Sequence, residues 1–258
     1  METDMGKQSF WEHLDVLRAT IVKIVAVAVV FGTVAFCFKE QLFAVVLAPK
    51  DEAFVTYGLF NRISVWMGNT VDPFSVQLIS TGLAQQFVIH VKMAFCAGVF
   101  GASPYILYQL FRFVSPALYE NERRYALQVV GGGYVMFGLG VTVCYLLVFP
   151  FTFRFLGTYQ VSEEVVNLIT LDSYVSTLLV MCLVMGVIFE IPVLSWLFAK
   201  LGLLSAGFMR RYRKHAVVLI LVAAAVITPT SDVFTLLLVA LPMWLLYEAS
   251  IWLINSVR

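Results

Sequence analysis

The residue whose type and position point most clearly to chemistry is Glu190. It is the one charged residue of a long apolar run, 173–198, and Pro192 follows it two positions later. Because a proline cannot donate a backbone hydrogen bond to the residue four positions before it, we expect the helix to bend there and to free a carbonyl. A carboxylate at membrane depth faces protein or water and commonly serves a function. The pair therefore predicts a polar pocket inside a bilayer; the alternative is a structural glutamate that joins two helices.

Three other acidic residues have simpler explanations. Glu248 is expected to reach the membrane interface near the end of the last apolar segment. Asp172 opens the fourth apolar segment, where a helix dipole favours a negative charge. Asp232 follows a turn-forming segment, 228–231, and is expected to be the N-cap of the final helix.

The sequence contains none of the common catalytic motifs. It has no His-Glu-x-x-His, no Gly-x-Ser-x-Gly and no phosphate-binding glycine loop. The four cysteines have no CxxC spacing, so we interpret them as small buried hydrophobes and not as a disulfide framework or a metal site. We therefore expect no catalytic residue, no metal, no cofactor and no enzymatic activity.

The composition requires a membrane environment. The chain has 258 residues, of which 61% are hydrophobic and 13% are charged, and its mean hydropathy is +0.90. A soluble domain has about 25% charged residues, so this chain has too little polar surface to cover itself in water. The prediction is an all-α integral membrane protein whose solvent is the lipid bilayer, with no nucleic-acid partner.

Six apolar segments predict six transmembrane helices in a single domain that covers residues 1–258. A span needs roughly 20 apolar residues to cross about 30 Å of hydrocarbon. The predicted spans are approximately 21–38, 88–110, 125–149, 173–198, 215–228 and 233–254. The last two are expected to be short and to form a hairpin with local thinning of the bilayer, and a re-entrant pair is the alternative.

The distribution of Lys and Arg predicts the orientation. Of 17 such residues, eleven fall on the side of the N-terminus and four on the opposite side, while Lys23 and Lys92 lie within spans. Cytoplasmic loops are enriched in Lys and Arg, so both termini are predicted to be cytoplasmic.

Three segments outside the predicted spans are expected to lie at the membrane surface. On the outer side, the aromatic residues of 39–80 predict an ordered interfacial cap, or alternatively a loop with a small apolar cluster. On the cytoplasmic side, 10–18 has the spacing of an amphipathic helix. The segment 113–124 is expected to stay close to the interface because it contains Pro116 and Leu118-Tyr119.

Short motifs spread over nearly the whole chain together resemble those of the TatC family. The motifs that carry the resemblance are Phe-Trp-Glu-His-Leu-Asp-Val-Leu-Arg at 10–18, Ala48-Pro49, Tyr-Gln-Leu-Phe-Arg-Phe-Val-Ser-Pro-Ala-Leu-Tyr at 108–119 with Glu122-Arg123-Arg124, Phe-Glu-Ile-Pro at 189–192, Ile-Thr-Pro at 227–229 and Asp232-Val233. Each motif is weak alone, and their order on six predicted spans makes the match specific. Within these motifs, Pro49, Pro116 and Asp232 are expected to be structural positions.

The resemblance implies the receptor and core subunit of a twin-arginine protein translocase, with a concave, glove-like bundle. Proteins similar to TatC bind the twin-arginine signal peptide of folded cargo at the cytoplasmic face. They recruit single-span partners of the TatA/TatB kind for export driven by the proton-motive force. They lie in a bacterial-type plasma (inner) membrane, and other copies of the same chain are further expected partners.

The resemblance also implies which residues recognise the signal peptide. Glu122 matches the family's recognition acid, and Glu120 lies beside it in the sequence. A pair of arginines needs carboxylates that form charge-assisted contacts in a partly desolvated site.

The N-terminal motif departs from the usual His-Leu-x-Glu-Leu-Arg of the family, since Val16 stands at the position of the acid. We expect Glu12, Asp15 or both to substitute for that acid, and Arg18 completes the motif.

Glu190, with Pro192, matches the family's intramembrane glutamate and is expected to contact a polar group on a partner's helix. Leu236 stands where the family commonly has Gln, so partner contacts along that edge are expected to differ.

Two other classes of function are weighed against the receptor. A small transporter or channel would use Glu190 and Glu248 as ion-coupling carboxylates, but the sequence shows no repeat with paired broken helices. An intramembrane enzyme would need a nucleophile and a base at one depth, and Ser103, Ser173 and His90 form no obvious set.

Overall fold

The computed structural model describes residues 10–66, 76–114, 126–159, 168–228 and 232–256, and these are mainly helical. Five described segments are long and apolar enough to cross a membrane. They are Leu14–Cys37, Gln85–Phe113, Val129–Thr158, Leu171–Lys200 and Val233–Asn255. The prediction of an all-α membrane protein is confirmed.

Eleven α-helices are found in the described part of the chain. They are α1 (Phe10–Cys37), α2 (Lys39–Leu47), α3 (Val55–Trp66), α4 (Gln85–Val114), α5 (Ala126–Val143), α6 (Phe149–Thr158), α7 (Leu171–Ile188), α8 (Ile191–Lys200), α9 (Ala206–Arg211), α10 (Arg213–Ile227) and α11 (Val233–Asn255). A short 3₁₀ helix, Ala48–Lys50, follows α2, and a π-helical turn, Cys144–Val148, joins α5 to α6. Two-residue strands β1 (Leu78–Ile79) and β2 (Ile169–Thr170) pair in parallel, with Leu78 opposite Ile169.

The last two helices differ in length, which corrects the expectation that both are short. The helix α10 has 15 residues, about 22 Å at the rise of an α-helix. In contrast, α11 has 23 residues and continues through both Pro242 and Glu248. The charge does not end the helix, because the Glu248 carboxylate accepts a hydrogen bond at 2.7 Å from Arg213 of α10.

The third predicted span was expected to end at 149, and this boundary is wrong. The helix passes through the π-helical turn and continues as α6 to Thr158, with Pro150 in its first turn. Proline is tolerated in a first turn, but its missing N–H leaves the carbonyl of Leu146, four residues earlier, without its helical donor. The hydroxyl of Thr56, in α3, donates to that carbonyl. The Thr56 side chain, from a different helix, thus supplies the hydrogen bond that Pro150 cannot donate to the Leu146 carbonyl.

Helices α1 and α4 pack antiparallel with their backbones in contact. A Cβ at Gly98 would lie 2.5 Å from the carbonyl oxygen of Ala28 and 2.6 Å from the nitrogen of Gly32, so only glycine fits. At the far end of the same pair, the rings of Phe36 and Phe87 lie 6.4 Å apart. Only 11% of the α1 span is buried within the protein, so most of this helix is not enclosed by the other described elements.

The described part of the segment between α1 and α4 is an ordered cap, as one of the two sequence interpretations predicts. Helix α2 ends at Leu47, and hydroxyl groups from other helices donate to its last carbonyls, although the Ala48 amide also donates to the carbonyl of Val45. The hydroxyl of Tyr145 donates to the carbonyl of Val45 at 2.6 Å, and that of Tyr174 to Val46 at 3.0 Å. Two spans therefore hold the end of α2 in place.

Tyr57 fixes the other half of the cap. Its buried hydroxyl lies 3.0 Å from the carbonyl oxygen of Pro49 and 2.9 Å from that of Pro150, and its proton is shared between them. Burial raises the pKa of the Tyr57 phenol, an effect that the nearby Arg154 opposes, so the group stays a donor at neutral pH. Pro49 is itself buried in the 3₁₀ helix, which places this predicted structural position at the base of the cap.

The two ends of the bundle differ in character. The end of α4, the start of α5 and the end of α8 meet in one apolar cluster, and α9 meets the end of α11 in another. The buried members are Phe111, Val129 and Leu197 in the first cluster and Met209, Ile251 and Ile254 in the second. We call this the basic end, since it also carries Arg112, Lys200 and Arg210, and we call the end with α2 and α3 the capped end.

Candidate functional site

The helix is interrupted at Glu190, next to Pro192. Helix α7 ends at Ile188, and the Glu190 amide donates to the carbonyl of Val187 at 3.1 Å, three residues back instead of four. Helix α8 begins at Ile191 with Pro192 in its first turn, where the missing N–H is least costly. The break turns the Glu190 side chain toward α5.

The Glu190 carboxylate is buried against a glycine. The residue is 7% exposed, and a Cβ added to Gly133 of α5 would lie 2.9 Å from its Oε2 atom. Its Oε1 atom is buried and has no hydrogen-bond partner among the described residues. A buried polar atom without a partner is costly, so this carboxylate is poised to accept a hydrogen bond from a group outside the described structure.

The carboxylate borders an apolar cavity of about 380 Å³ between α4, α5 and α7–α8. Ser103 of α4 and Glu190 are the polar members of a lining that otherwise consists of side chains such as Leu107, Phe137 and Val187. The Ser103 hydroxyl donates at 2.7 Å to the carbonyl of Phe100. That carbonyl lacks its helical donor because Pro104 lies four residues later. Ser103 is thus committed to the backbone, and Glu190 carries the chemistry of the cavity.

The cavity lies nearer the basic end than the capped end. Its lining includes Phe111, Val129 and Leu197, the three residues of the basic-end cluster. Glu190 precedes the end of α8 by roughly 15 Å at the rise of an α-helix. A polar group on a helix entering from the lipid could therefore reach the carboxylate without crossing the whole protein.

The N-terminal candidates lie at the basic end. Asp15, Val16 and Arg18 are exposed on the first turns of α1. The antiparallel packing of α1 on α4 places these turns beside the end of α4, which is also where the segment 115–125 begins. The side chain of Glu12 lies outside the described set, and so do Pro116, Glu120 and Glu122.

Two ion pairs join elements that no sequence pattern connects. Lys92 of α4 lies 2.7 Å from Asp172 at the start of α7 and 3.2 Å from the Ser176 hydroxyl. Arg213 and Glu248 form the second pair, between α10 and α11. These pairings depend on which helices become neighbours, a property that local sequence does not encode. They also give Lys92 and Glu248 partners that their sequence context does not predict.

Two further residues, Asp232 and His90, have their side chains engaged in contacts within the fold. Asp232 is the N-cap of α11, as predicted, because its Oδ1 atom accepts from the backbone amide of Thr235 at 2.8 Å. His90 is buried, and its ring stacks on Phe36 with centroids 4.1 Å apart. Within the described residues, no group of three or more His, Cys, Asp and Glu side chains could hold a metal ion.

The fold and the buried carboxylate define a multi-pass α-helical membrane protein with an acidic side chain buried among its apolar helices. Residues 12–242 match the family model of the Sec-independent protein translocase protein TatC. A TatC protein of Koribacter versatilis is 36% identical over 94% of this chain and 83% of its own length. One of Blattabacterium is 29% identical over 98% of this chain and 97% of its own.

A solved structure gives the same result. The crystal structure of a twin-arginine translocase receptor, TatC, is 29% identical to this chain and superposes with a TM-score of 0.76. The match covers 96% of this chain and all of the other. The chain belongs to the TatC family. It is a membrane component of the Sec-independent, twin-arginine protein translocase, and such a component is not an enzyme.

Proposed function

We propose that this chain is the receptor subunit of the translocase and that it binds twin-arginine signal peptides at the basic end. The observation that carries the proposal is the antiparallel pairing of α1 with α4. It brings the acidic start of α1 and the beginning of the segment 115–125 to the same end of the bundle. Acids from two separate motifs are thereby available to one peptide.

The chemistry of these residues fits a consecutive arginine pair. Asp15 is exposed on α1 and Glu12 lies three residues earlier. Glu122 follows the end of α4 by eight residues, a distance that a short connection spans easily. Guanidinium groups prefer carboxylates that they can contact through two hydrogen bonds, so two acids from different elements suit two arginines.

Site-specific crosslinking tests the peptide site. A twin-arginine peptide with a photoreactive group should crosslink to 12–18 and to 115–125 of the wild-type protein in membranes. The yield should fall at least fivefold with Glu122→Ala, and equally when the arginine pair of the peptide becomes two lysines. Glu12→Ala and Asp15→Ala separate the two candidate substitutes for the acid missing at Val16.

The matched control is Glu40→Ala. Glu40 is an exposed acid in the first turn of α2, at the capped end. It removes the same charge at the wrong end of the bundle, so crosslinking should stay at the wild-type level. Equal crosslinking in all variants and peptides would refute the receptor assignment.

We further propose that Glu190 contacts a single-span partner of the TatA/TatB kind. The proposal rests on the unpartnered Oε1 atom and on the apolar cavity beside it. A polar group on a helix in lipid lacks water as a partner, so each of the two groups gains by meeting the other. We include in this proposal that other copies of the same chain are partners and that the bundle has a glove-like concave face.

Partner recruitment is measured by co-purification in mild detergent. Glu190→Ala should lower the amount of bound partner several-fold, while Glu190→Gln should retain more because an amide still offers an accepting oxygen. Signal-peptide crosslinking should be unaffected by either change. A partner yield that is unchanged in Glu190→Ala would remove Glu190 from the contact.

We also propose that the sixth crossing is made by α10 and that both termini are cytoplasmic. The helix is predominantly apolar but about 22 Å long, so the bilayer must thin where it crosses. The basic end carries the excess of Lys and Arg that cytoplasmic surfaces carry.

A further inference from the structure

The connection from α8 to α10 forms a compact, strongly basic surface. Five basic residues lie within 15 positions of the sequence: Lys200, Arg210, Arg211, Arg213 and Lys214. The general excess of Lys and Arg on cytoplasmic surfaces explains the sign of this charge, but neither the translocase function nor the cavity at Glu190 accounts for its clustering on this one connection.

The backbone of this connection is firmly held. Gly202 has a φ of +72°, a conformation that favours glycine, and the amide of the next residue, Leu203, returns to the carbonyl of Phe198 at 2.9 Å. The Ser205 side chain then accepts from the amide of Phe208 as the N-cap of α9. The connection is therefore a defined platform.

Helix α9 is also attached to α11. The side chain of Met209 is buried against Ile251 and Ile254, and the Tyr247 hydroxyl donates to the carbonyl of Met209 at 2.8 Å. The burial of Met209 leaves the other side of α9 exposed.

Three positive charges on this platform have no described counter-ion. Arg210, Arg211 and Lys214 are exposed, and no carboxylate of the described residues lies within 4.0 Å of them. Arg213, by contrast, is neutralised by Glu248 at 2.7 Å. The local charge is strongly positive and is directed away from the bundle.

Exposed aromatic rings accompany these charges. Phe208 is 54% exposed and Tyr212 is 42% exposed, and their ring centroids lie 4.6 Å apart. Amphipathic and aromatic side chains concentrate at the level of lipid headgroups, whereas exposed phenylalanine is unfavourable in water. The combination favours a membrane surface over a soluble acidic protein as the counterpart.

We propose that this surface, Arg210, Arg211 and Lys214 with Phe208 and Tyr212, binds the headgroup of an anionic phospholipid. The guanidinium and ammonium groups contact the phosphate, and the two rings lie at the boundary between headgroup and acyl chain. Basic clusters beside a transmembrane helix attract anionic lipid by a factor of about five for each charge. Loss of three charges should therefore weaken binding by at least tenfold.

Native mass spectrometry of the full chain in detergent tests the proposal directly. The protein is titrated with dioleoylphosphatidylglycerol, and the fraction that carries one lipid gives the apparent Kd. Arg210→Gln/Arg211→Gln/Lys214→Gln should raise this Kd at least tenfold, and the same protein should bind dioleoylphosphatidylcholine as the wild type does. The charge-conserving variant Arg210→Lys/Arg211→Lys/Lys214→Arg should restore binding to within about threefold of wild type.

A matched control removes the same net charge elsewhere. Lys39, Lys50 and Arg62 lie in the cap. Their triple Gln variant should keep the wild-type Kd. A tenfold loss in this control would show that the total charge of the protein, and not this surface, governs binding, and would overturn the proposal.

Two further measurements identify the chemical nature of the ligand. Inorganic phosphate at constant ionic strength should not displace the lipid; displacement at millimolar phosphate would show a site for a free anion instead. Phe208→Ser should raise the Kd for the lipid about threefold, and an unchanged Kd would remove the rings from the site. The melting temperature of each variant without added phosphatidylglycerol verifies that it is folded.

Discussion

The contact between Gly133 and Glu190 determines how the carboxylate is presented. A glycine at 133 lets the side chain lie flat against α5, while its Oε1 atom remains without a described partner. At Gly131, two residues earlier, a methyl group in place of the hydrogen would have no heavy atom within 4 Å, so the glycines of this run serve different purposes. Close helix packing favours glycine at Gly133.

Gly133→Ala should displace the carboxylate and lower partner recruitment several-fold. The new Cβ would meet Oε2 at 2.9 Å, and the flexible end of the glutamate is easier to move than either helix. Co-purification with the single-span partner measures the effect. Gly131→Ala adds the same methyl group into open space and should leave recruitment unchanged; equal losses in both variants would contradict this account.

Thr56 shows how one hydroxyl can support a helix from outside. Thr56→Val keeps the shape of the side chain but leaves the Leu146 carbonyl, already deprived of a donor by Pro150, without its hydrogen bond. We expect a loss of about 1–3 kcal/mol in stability, the cost of a buried unsatisfied polar group.

Thermal unfolding in detergent measures this loss, with Thr142→Val as the control. The Thr142 hydroxyl donates to the carbonyl of Gly138 within its own helix, where the backbone already supplies a donor. Its removal should cost less than about 0.5 kcal/mol. A stability of Thr56→Val equal to that of this control would show that the Leu146 carbonyl is satisfied in another way.

At the scale of elements, sequence patterns predicted well what depends on neighbours along the chain. Asp232 caps α11 because the interaction spans three residues, and the helix breaks beside Glu190 because Pro192 lies two positions away. The helical extent beyond Pro150 was missed. It depends on a partner in another element, Thr56, which local patterns do not reveal.

The candidate site also has one part that local sequence predicts and another that depends on packing between distant elements. Glu190 could be selected from its residue type in an apolar segment, but its position against Gly133 depends on how α5 and α7 pack. The link between Lys92 and Asp172 likewise joins residues 80 positions apart. The candidate acids Glu120 and Glu122 lie outside the described residues, so their role remains a prediction from the motif.

Helix α1 depends on a single neighbour for its position. Because its described contacts are chiefly with α4 and include the close approach at Gly98, Gly98→Leu should separate α1 from the bundle. A cysteine pair placed at Phe36 and Phe87 of a cysteine-free variant, positions whose rings lie 6.4 Å apart, should then lose its crosslink by a bifunctional thiol reagent. Gly58→Leu, in the exposed part of α3 with no atom near its Cβ position, should keep the crosslink; its loss there would indicate general misfolding.

The whole molecule is asymmetric, with a basic end and a capped end. If the basic end is cytoplasmic as proposed, a cysteine at Lys200 in a cysteine-free variant should be shielded from a membrane-impermeant thiol reagent in intact cells. A cysteine at Lys39 should react under the same conditions. Both residues are exposed, so accessibility reports the side of the membrane, and the opposite pattern of labelling would invert the orientation.

The cap also constrains the order in which the chain can be assembled during its synthesis. Its hydrogen bonds join Thr56 to Leu146 and Val46 to Tyr174, residues 90 and 128 positions apart. The segment of α2 and α3 therefore leaves the ribosome long before its partners exist. It must wait at the membrane surface without these hydrogen bonds until the third and fourth spans have been inserted. Closure of the cap is thus a late event in biogenesis, and a nascent chain released before Tyr174 would carry an open one.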